Sequence, residues 1–237
     1  MLKAVFFDLD GTLLPFNEEE FIKTYSSLLT RYVLTHAEGY EKDLFLKTLW
    51  GGTKLMYMND GSKTNEEVVW DNFVNNYGVD KLKDRTIFDR FYETDYHNIT
   101  KIMEKCEESP KIIDFCKENK LITVLSTNPF FPAIATHVRM AHTGLNKDDF
   151  GYLTTMENFS FCKPNPKYFE ALLKMFNLKP EEVIVFGNNE KEDADCANAV
   201  GIKCYLIDSI YYQKNGKQEK YNVIKITDVI DVIKSHI

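Results

Sequence analysis

The segment Val5-Phe6-Phe7-Asp8-Leu9-Asp10-Gly11-Thr12-Leu13 joins a short apolar run to two aspartates and a glycine. Continuous hydrophobicity is typical of a strand that is buried on both faces, as in a parallel sheet. Gly11 permits a sharp turn directly after such a strand. Ligands bind at the carboxyl ends of the strands in open α/β sheets, so Asp8 and Asp10 are predicted to face one site. Two crowded carboxylates favour a cation between them, and one can attack a substrate while the other transfers a proton.

Short apolar runs predict four more buried strands after the first, Ala4–Phe7. These predicted strands are Leu121–Leu125, Val183–Phe186, Cys204–Ile207 and Val223–Ile226. Pro110–Lys120 and Pro166–Phe176 carry apolar residues at helical spacing between them. Alternating strands and helices predict an α/β fold built on a doubly wound, Rossmann-like parallel sheet.

A long insert separates the first two predicted strands, because more than a hundred residues lie between Phe7 and Leu121. Asn17 is a predicted N-cap followed by three glutamates, and Asn65-Glu66-Glu67 is predicted to open another helix. We therefore expect residues 16–108 to form an all-helical domain inserted into an α/β core of residues 1–15 and 109–237. The polar segment Gln213–Lys220 is expected to be an exposed connector.

Two further motifs carry groups that suit a phosphate. Val124-Leu125-Ser126-Thr127-Asn128-Pro129 places a hydroxyl at the end of the second predicted strand, where it can donate to a phosphate oxygen. Cys162-Lys163-Pro164-Asn165-Pro166-Lys167 places a lysine just before a helix, with Pro166 suited to the first turn. The Lys163 ammonium would screen the repulsion between a phosphate and an attacking carboxylate.

Asp8-Leu9-Asp10-Gly11-Thr12 resembles the signature motif of the haloacid-dehalogenase superfamily. The Lys163 motif resembles the Lys-Pro-x-Pro motif of members with a helical cap. These three motifs and a fourth that contains Asp193 occur in the family order. The resemblance implies that Asp8 is a nucleophile that forms an aspartyl-phosphate and that Asp10 is a general acid and base. It also implies that Thr127, Asn128 and Lys163 bind phosphate. Dehalogenases of the family lack the second carboxylate, so Asp10 favours phosphoryl transfer.

The fourth motif departs from the family pattern, which has two acidic residues four or five positions apart. Asp193 matches the second acid, but the first falls on Asn189 or on Asn188. The resemblance implies a Mg²⁺ ion held by Asp8, Asp10, Asn189 and Asp193. An amide oxygen can bind Mg²⁺ but adds no negative charge, so weaker metal binding is expected. Glu190 and Asp195 are alternative acids that could compensate.

These motifs predict a Mg²⁺-dependent phosphohydrolase that acts on a small phosphomonoester, a phosphorylated metabolite. A phosphomutase of the same fold is an alternative, because the phosphoryl group could pass to a sugar rather than to water. The amides at positions 188 and 189 also allow a catalytically impaired phosphate-binding or structural protein. Arg139 could reach a substrate anion, although a surface salt bridge is expected.

Composition narrows the partners and the compartment. The net charge of −7 argues against nucleic acid and anionic membranes as main partners. Five cysteines form no C-x-x-C pair, which favours a reducing, cytoplasmic environment over a disulfide framework or a zinc site. No signal peptide is expected at the amino terminus, and no apolar run approaches the length of a membrane span.

Overall fold

The computed structural model describes residues 1–216 and 221–237, which form a parallel sheet of six strands. The spatial order is β3-β2-β1-β4-β5-β6, and every neighbouring pair is parallel. The strands are β1 (Ala4–Phe7), β2 (Ile122–Leu125), β3 (Tyr152–Leu153), β4 (Val183–Gly187), β5 (Lys203–Ile207) and β6 (Asn222–Ile224). The predicted doubly wound α/β fold is therefore confirmed. The sequence patterns missed β3, because two half-buried residues at the sheet edge form no apolar run.

Helices cover both faces of the sheet, which explains the continuous hydrophobicity of its central strand. Val5 and Phe7 pack into one apolar cluster, whereas Ala4 and Phe6 pack into another on the opposite face. The first cluster includes residues of α5 (Glu108–Glu118), α6 (Ala133–His142) and α9 (Val229–Lys234). The second includes residues of α7 (Lys167–Phe176) and α8 (Cys196–Ala199). All four residues of β1 are fully buried, which anchors the end of this strand in a rigid frame.

The insert between β1 and β2 is helical, as predicted. Its helices are α1 (Glu18–His36), α2 (Lys42–Tyr57), α3 (Asn65–Tyr77) and α4 (Arg85–Glu93), with 3₁₀ segments at Val79–Asp84 and Asp95–Ile102. Asn17 caps α1 by accepting a hydrogen bond from the Glu20 N–H at 2.9 Å. α3 begins at Asn65 as predicted, and its N-cap Thr64 forms a reciprocal capping box with Glu67.

The chain enters and leaves the insert at adjacent points. Phe16 forms an antiparallel bridge with Met103, and the Glu104 N–H donates to the Pro15 carbonyl at 3.0 Å. The Ser109 hydroxyl donates to the Leu13 carbonyl at 2.7 Å. These bonds hold together the two segments that connect the insert to the core. No helix formed by the described residues is long and apolar enough to cross a membrane.

The segment Gln213–Lys220 is only partly described, because Lys217–Lys220 lie outside the described residues. In the described part, Gln213 and Asn215 are half-buried and hydrogen-bonded to the fourth motif. The prediction of an exposed connector is therefore wrong for these two residues. Their polar side chains pair with other polar groups instead of with water, which a polar composition by itself does not reveal.

Candidate active site

Asp8 lies directly after β1 at the carboxyl edge of the sheet and is 7% exposed. Its N–H donates to the Phe186 carbonyl of β4 at 2.9 Å, which extends the ladder by one residue and fixes the side chain. Its carboxylate accepts from the Lys163 ammonium at 2.9 Å and from the Thr12 hydroxyl at 3.3 Å. Burial raises the pKa of Asp8 to about 8, although the Lys163 ammonium opposes that rise. Burial therefore disfavours the charged form of Asp8, and the Lys163 ammonium offsets part of that effect.

Lys163 is a buried cation between two carboxylates, and its side chain is 2% exposed. Its ammonium lies 2.9 Å from Asp8 Oδ1 and 2.6 Å from Asp193 Oδ1. Burial alone would lower the pKa of Lys163, but Asp193 and Asp8 hold it well above its ordinary value. The Lys163 N–H donates to Asn128 Oδ1 at 2.7 Å. Lys163 is thus positioned through both its main chain and its side chain.

Asp193 binds both the Lys163 ammonium and the main chain of the fourth motif. Its Oδ2 accepts the main-chain N–H groups of Asn188 and Asn189, each at 3.0 Å, while Oδ1 accepts from Lys163. Gly187 makes room for it, because a Cβ at position 187 would lie 2.2 Å from the Asp193 carboxyl carbon. Both carboxylate oxygens are therefore engaged with the protein.

The two adjacent amides occupy different places. Asn188 Oδ1 accepts from the Thr12 hydroxyl at 3.4 Å, and its Nδ2 donates to the Tyr211 carbonyl at 2.7 Å. The same amide packs against Gly11, where a Cβ would lie 2.2 Å from Nδ2, and the positive φ of +81° at Gly11 also favours glycine. Asn188 thus sits beside the turn that carries Asp8 and Asp10.

Asn189 faces the following helix instead. Its Oδ1 accepts the N–H groups of Lys191 and Glu192 at 3.0 and 2.9 Å, and its Nδ2 donates to Gln213 at 2.6 Å. The next turn, Glu190–Asp195, is a π-helix, in which the Ala194 N–H donates to the Asn189 carbonyl. The Asn189 side-chain oxygen therefore caps this turn, while the Asn189 N–H still donates to Asp193 Oδ2.

Glu190 and Asp195, the acids that could have compensated for the amides, contact the loop after β5. The Glu190 carboxylate accepts from the Tyr212 hydroxyl at 2.6 Å and from the Asn215 N–H at 2.8 Å. Asp195 accepts from the Tyr221 hydroxyl at 2.9 Å. Neither residue lines the cavity above Asp8.

Asp10 is paired with Arg139, which the sequence patterns assigned to a surface salt bridge. That expectation is wrong: Arg139 is 0% exposed, and its Nε donates to Asp10 Oδ1 at 3.1 Å. Its Nη1 donates to the Tyr96 hydroxyl at 2.7 Å, and its guanidinium stacks on Phe131 at 4.7 Å. Burial raises the pKa of Asp10, and the Arg139 guanidinium opposes that rise. Arg139 therefore connects the second aspartate with the helical insert.

Thr127 and Asn128 follow the end of β2, and their side chains have different roles. The Thr127 side chain lines the cavity, and its hydroxyl makes no hydrogen bond within the part of the chain that the structure describes. Asn128 accepts from the Lys163 N–H and donates to Glu192 at 2.7 Å. The Thr127 hydroxyl can therefore receive a substrate oxygen, whereas the Asn128 amide holds two protein groups.

The sequence patterns missed Glu192 and Tyr57. Burial raises the pKa of Glu192, and Lys163 opposes that rise. The Tyr57 hydroxyl of α2 donates to Glu192 at 2.8 Å, although 135 positions separate the two residues. No local pattern identifies such a pair, because it forms only where the insert meets the core.

A cavity of about 510 Å³ lies between the sheet edge and the insert. Asp8, Asp10, Thr127 and Lys163 line its base, and residues of α1–α4 line its walls. The predicted nucleophile, its proton carrier and its phosphate donors therefore open into one space.

The residues at this edge fit a Mg²⁺ ion that binds together with a phosphate. Among residues 1–216 and 221–237, no group of three or more His, Cys, Asp or Glu side chains is arranged to hold a metal ion. Mg²⁺ in proteins is commonly bound through one or two carboxylates, with waters and substrate phosphate completing an octahedron. Asp8 and Asp10 supply two carboxylates, and Asn188 supplies a neighbouring amide.

A family model described as haloacid dehalogenase-like hydrolase matches residues 2–201. The chain belongs to this family of hydrolases. It is similar to the glyceraldehyde 3-phosphate phosphatase of Methanothermobacter thermautotrophicus, with 22% identity over an alignment that covers 98% of this chain and 97% of that protein.

Two solved structures share the fold over nearly their whole lengths. A 2-haloacid dehalogenase from Pseudomonas syringae pv. Tomato DC3000 is 16% identical, has a TM-score of 0.67 and covers 99% of both chains. A HAD phosphatase from Thermococcus onnurineus is 20% identical, has a TM-score of 0.59 and covers 98% of both chains. At these identities the two structures support the fold alone.

Proposed function

We propose that this protein hydrolyses small phosphomonoesters and that Asp8 is the nucleophile. The observation that carries the proposal is the joint position of Asp8, Lys163 and the free Thr127 hydroxyl at the base of one cavity. A nucleophilic carboxylate needs a cation that screens it from the phosphate, and Lys163 lies 2.9 Å from it. Asp10 supplies the second carboxylate that a phosphatase needs and that dehalogenases of the family lack.

The reaction proceeds in two balanced steps. In the first, an Asp8 oxygen attacks phosphorus, the bond from phosphorus to the leaving oxygen breaks, and Asp10 gives that oxygen a proton. In the second, water attacks the aspartyl-phosphate, Asp10 removes a proton from the water, and the bond between Asp8 and phosphorus breaks. Thr127 and Lys163 hold the phosphoryl oxygens through both steps.

Magnesium is the cofactor that we propose, with the Asp8 carboxylate as its charged ligand and Asp10 as a further oxygen ligand. When bound, it neutralises charge that develops on the transferring phosphoryl group. We propose Asn188 rather than Asn189 as the nearby amide, because Asn189 Oδ1 already accepts two main-chain N–H groups. Both oxygens of Asp193 are likewise engaged, so we assign it to positioning Lys163 and the Asn188 main chain.

We propose that residues 16–108 act as a cap over residues 1–15 and 109–237. The paired crossings at Phe16 and Met103 suit a hinge, and the Tyr57–Glu192 hydrogen bond suits a contact that forms on closure. A closed cap would exclude bulk water from the first step, so that the phosphoryl group passes to Asp8 rather than to water.

Replacement of Asp8 tests this function. Asp8→Asn removes the nucleophile but keeps the side-chain shape, so phosphate release should stop while the thermal midpoint stays close to that of the parent. The measurement is phosphate release from glyceraldehyde 3-phosphate, the substrate named for the archaeal relative, and from a panel of sugar phosphates with Mg²⁺. Asp148→Asn, an exposed aspartate outside the cavity, is the matched control. Parent-like turnover in Asp8→Asn would refute the mechanism. A parent that binds neither Mg²⁺ nor phosphate and releases none would favour a structural protein instead.

A further inference from the structure

The side chains that line the cavity carry strongly unbalanced charge, although Arg139 and Arg85 outside the lining pair with Asp10 and Glu66. Of the described residues that line it, nine carry a carboxylate and one, Lys163, carries a positive charge. Asp8, Asp10 and Asp193 belong to the reaction centre, so six of the carboxylates lie along the walls. They are Glu18, Glu19, Glu66, Asp89, Glu157 and Glu192.

This imbalance limits what the leaving group can be. The single lysine is already shared between Asp8 and Asp193, and it faces the transferred phosphoryl group. A second phosphate or a carboxylate on the substrate would meet wall carboxylates and no free cation among the described lining residues. Like charges in a partly desolvated cavity oppose binding.

The remaining wall surface is apolar and aromatic. Thirteen of the described lining residues are aromatic. Three large apolar side chains on the insert line the cavity while still exposed: Ile22 (40%) on α1, and Trp50 (37%) and Tyr57 (41%) on α2. Phe130 of the core packs against Tyr57, with the two ring centroids 4.7 Å apart. Water meets apolar groups here that a substrate could cover.

We infer that the preferred substrate is a phosphomonoester whose alcohol part is uncharged, apolar and about the size of an aromatic ring. The inference rests on the proposed function for the position of the phosphate. The cavity volume of about 510 Å³ lies within the roughly 300–1,000 Å³ typical of pockets for drug-sized ligands. A ring in this space would cover Ile22 and Trp50, whereas a short polar alcohol would leave them in water.

Binding of non-hydrolysable phosphonates tests the inference separately from turnover. Benzylphosphonate, 4-carboxybenzylphosphonate and methylphosphonate are titrated by calorimetry into the protein with Mg²⁺. The first two differ in one carboxylate, and the first and third differ in the ring. We expect benzylphosphonate to bind about tenfold more tightly than either of the others. Equal affinities for the three would overturn the inference, as would tighter binding of the carboxylated compound.

Substitutions of residues in the cavity wall test which side chains bind the apolar part of the ligand. Trp50→Ala should weaken benzylphosphonate about tenfold and leave methylphosphonate within twofold, and Ile22→Ala should act in the same direction. Leu55→Ala is the matched control, because Leu55 is 42% exposed on the same helix but does not line the cavity. If Trp50→Ala and Leu55→Ala bind benzylphosphonate equally well, the assigned wall is wrong.

The two proposals can fail separately. Hydrolysis of benzyl phosphate and of glycerol 1-phosphate is measured in parallel with binding. Selective phosphonate binding without any phosphate release would contradict the proposed function and keep only the binding preference for an uncharged apolar group. Equal release from both phosphates, together with equal binding of the phosphonates, would keep the function and overturn the inference.

Discussion

Replacing Arg139 with methionine tests whether this buried arginine holds Asp10 in place. Methionine keeps most of the apolar stem but removes the donors to Asp10 at 3.1 Å and to Tyr96 at 2.7 Å. It also removes the guanidinium that stacks on Phe131. We expect the variant to fold with reduced stability, because the Asp10 carboxylate loses its counter-ion.

The expected loss is about 2 kcal/mol. Removing one partner of a buried ion pair costs about 3–5 kcal/mol. The Asp10 side chain is 29% exposed and keeps part of its hydration, which places the cost near the lower limit. Arg139 Nη2 is buried without a partner among the described residues, and removing it returns about 1 kcal/mol. For a chain of this length, 2 kcal/mol corresponds to a fall of about 4–8 °C in Tm.

Thermal unfolding of a double-mutant cycle is the assay. Arg139→Met, Asp10→Asn and the double variant are compared with the parent, and the double variant should recover about 1 kcal/mol or more of the loss. Arg31→Met is the control, since its ion pair with Asp95 is exposed and 3.6 Å long and should contribute little. A Tm for Arg139→Met within 1 °C of the parent, or strictly additive effects in the cycle, would refute the reasoning.

The loss should also depend on pH. Burial raises the folded-state pKa of Asp10 above its unfolded value of about 3.9, and Arg139 opposes the rise. A carboxyl whose folded pKa is raised binds more protons when folded, so its contribution to stability falls as pH rises through the window between the two values. Without Arg139 the pKa rises further, so the deficit of Arg139→Met should be smaller at pH 5 than at pH 8. A deficit that is larger at pH 5 would contradict the assigned pairing.

Three further predictions concern the metal and the fourth motif. Asn188→Asp should tighten Mg²⁺ binding roughly tenfold by calorimetry, because an added carboxylate beside the cation outweighs its repulsion from Asp8. Asn189→Asp should change it far less, and the reverse order would show that Asn189 is the ligand. In the parent, Mg²⁺ should raise Tm more at pH 8.5 than at pH 6. Burial raises the pKa of Asp8 to about 8, so protons compete with the metal for this carboxylate at the lower pH. An increase in Tm that does not depend on pH would contradict this prediction. Gly187→Ala should cost roughly 1–3 kcal/mol in chemical denaturation, because the new Cβ would lie 2.2 Å from the Asp193 carboxyl carbon; unchanged stability would show that Asp193 moves freely.

Local patterns were enough to predict the sheet core and the helical insert. The sequence Ala4–Phe7 predicts that β1 is buried on both faces, because four consecutive apolar residues place apolar side chains on each face of the strand. Asn17 and its three glutamates predicted the start of α1, since capping depends on neighbours within one turn. Asn65-Glu66-Glu67 likewise predicted the start of α3, which begins at Asn65 and is capped by Thr64.

Tertiary packing decided which side chains of the candidate site pair with each other. Asp10 meets Arg139 across 129 positions of sequence, and Tyr57 meets Glu192 across 135. Such pairs depend on how the insert lies against the core, which no periodicity of a single segment records. The choice between Asn188 and Asn189 depended on hydrogen bonding, because Asn189 Oδ1 already accepts two main-chain N–H groups of the turn that follows it. The sequence by itself determined which residues lie at the ends of the strands, because a short run of apolar residues is enough to indicate a buried strand. The ion-pair partners of those residues were decided by the packing of segments that are distant in sequence.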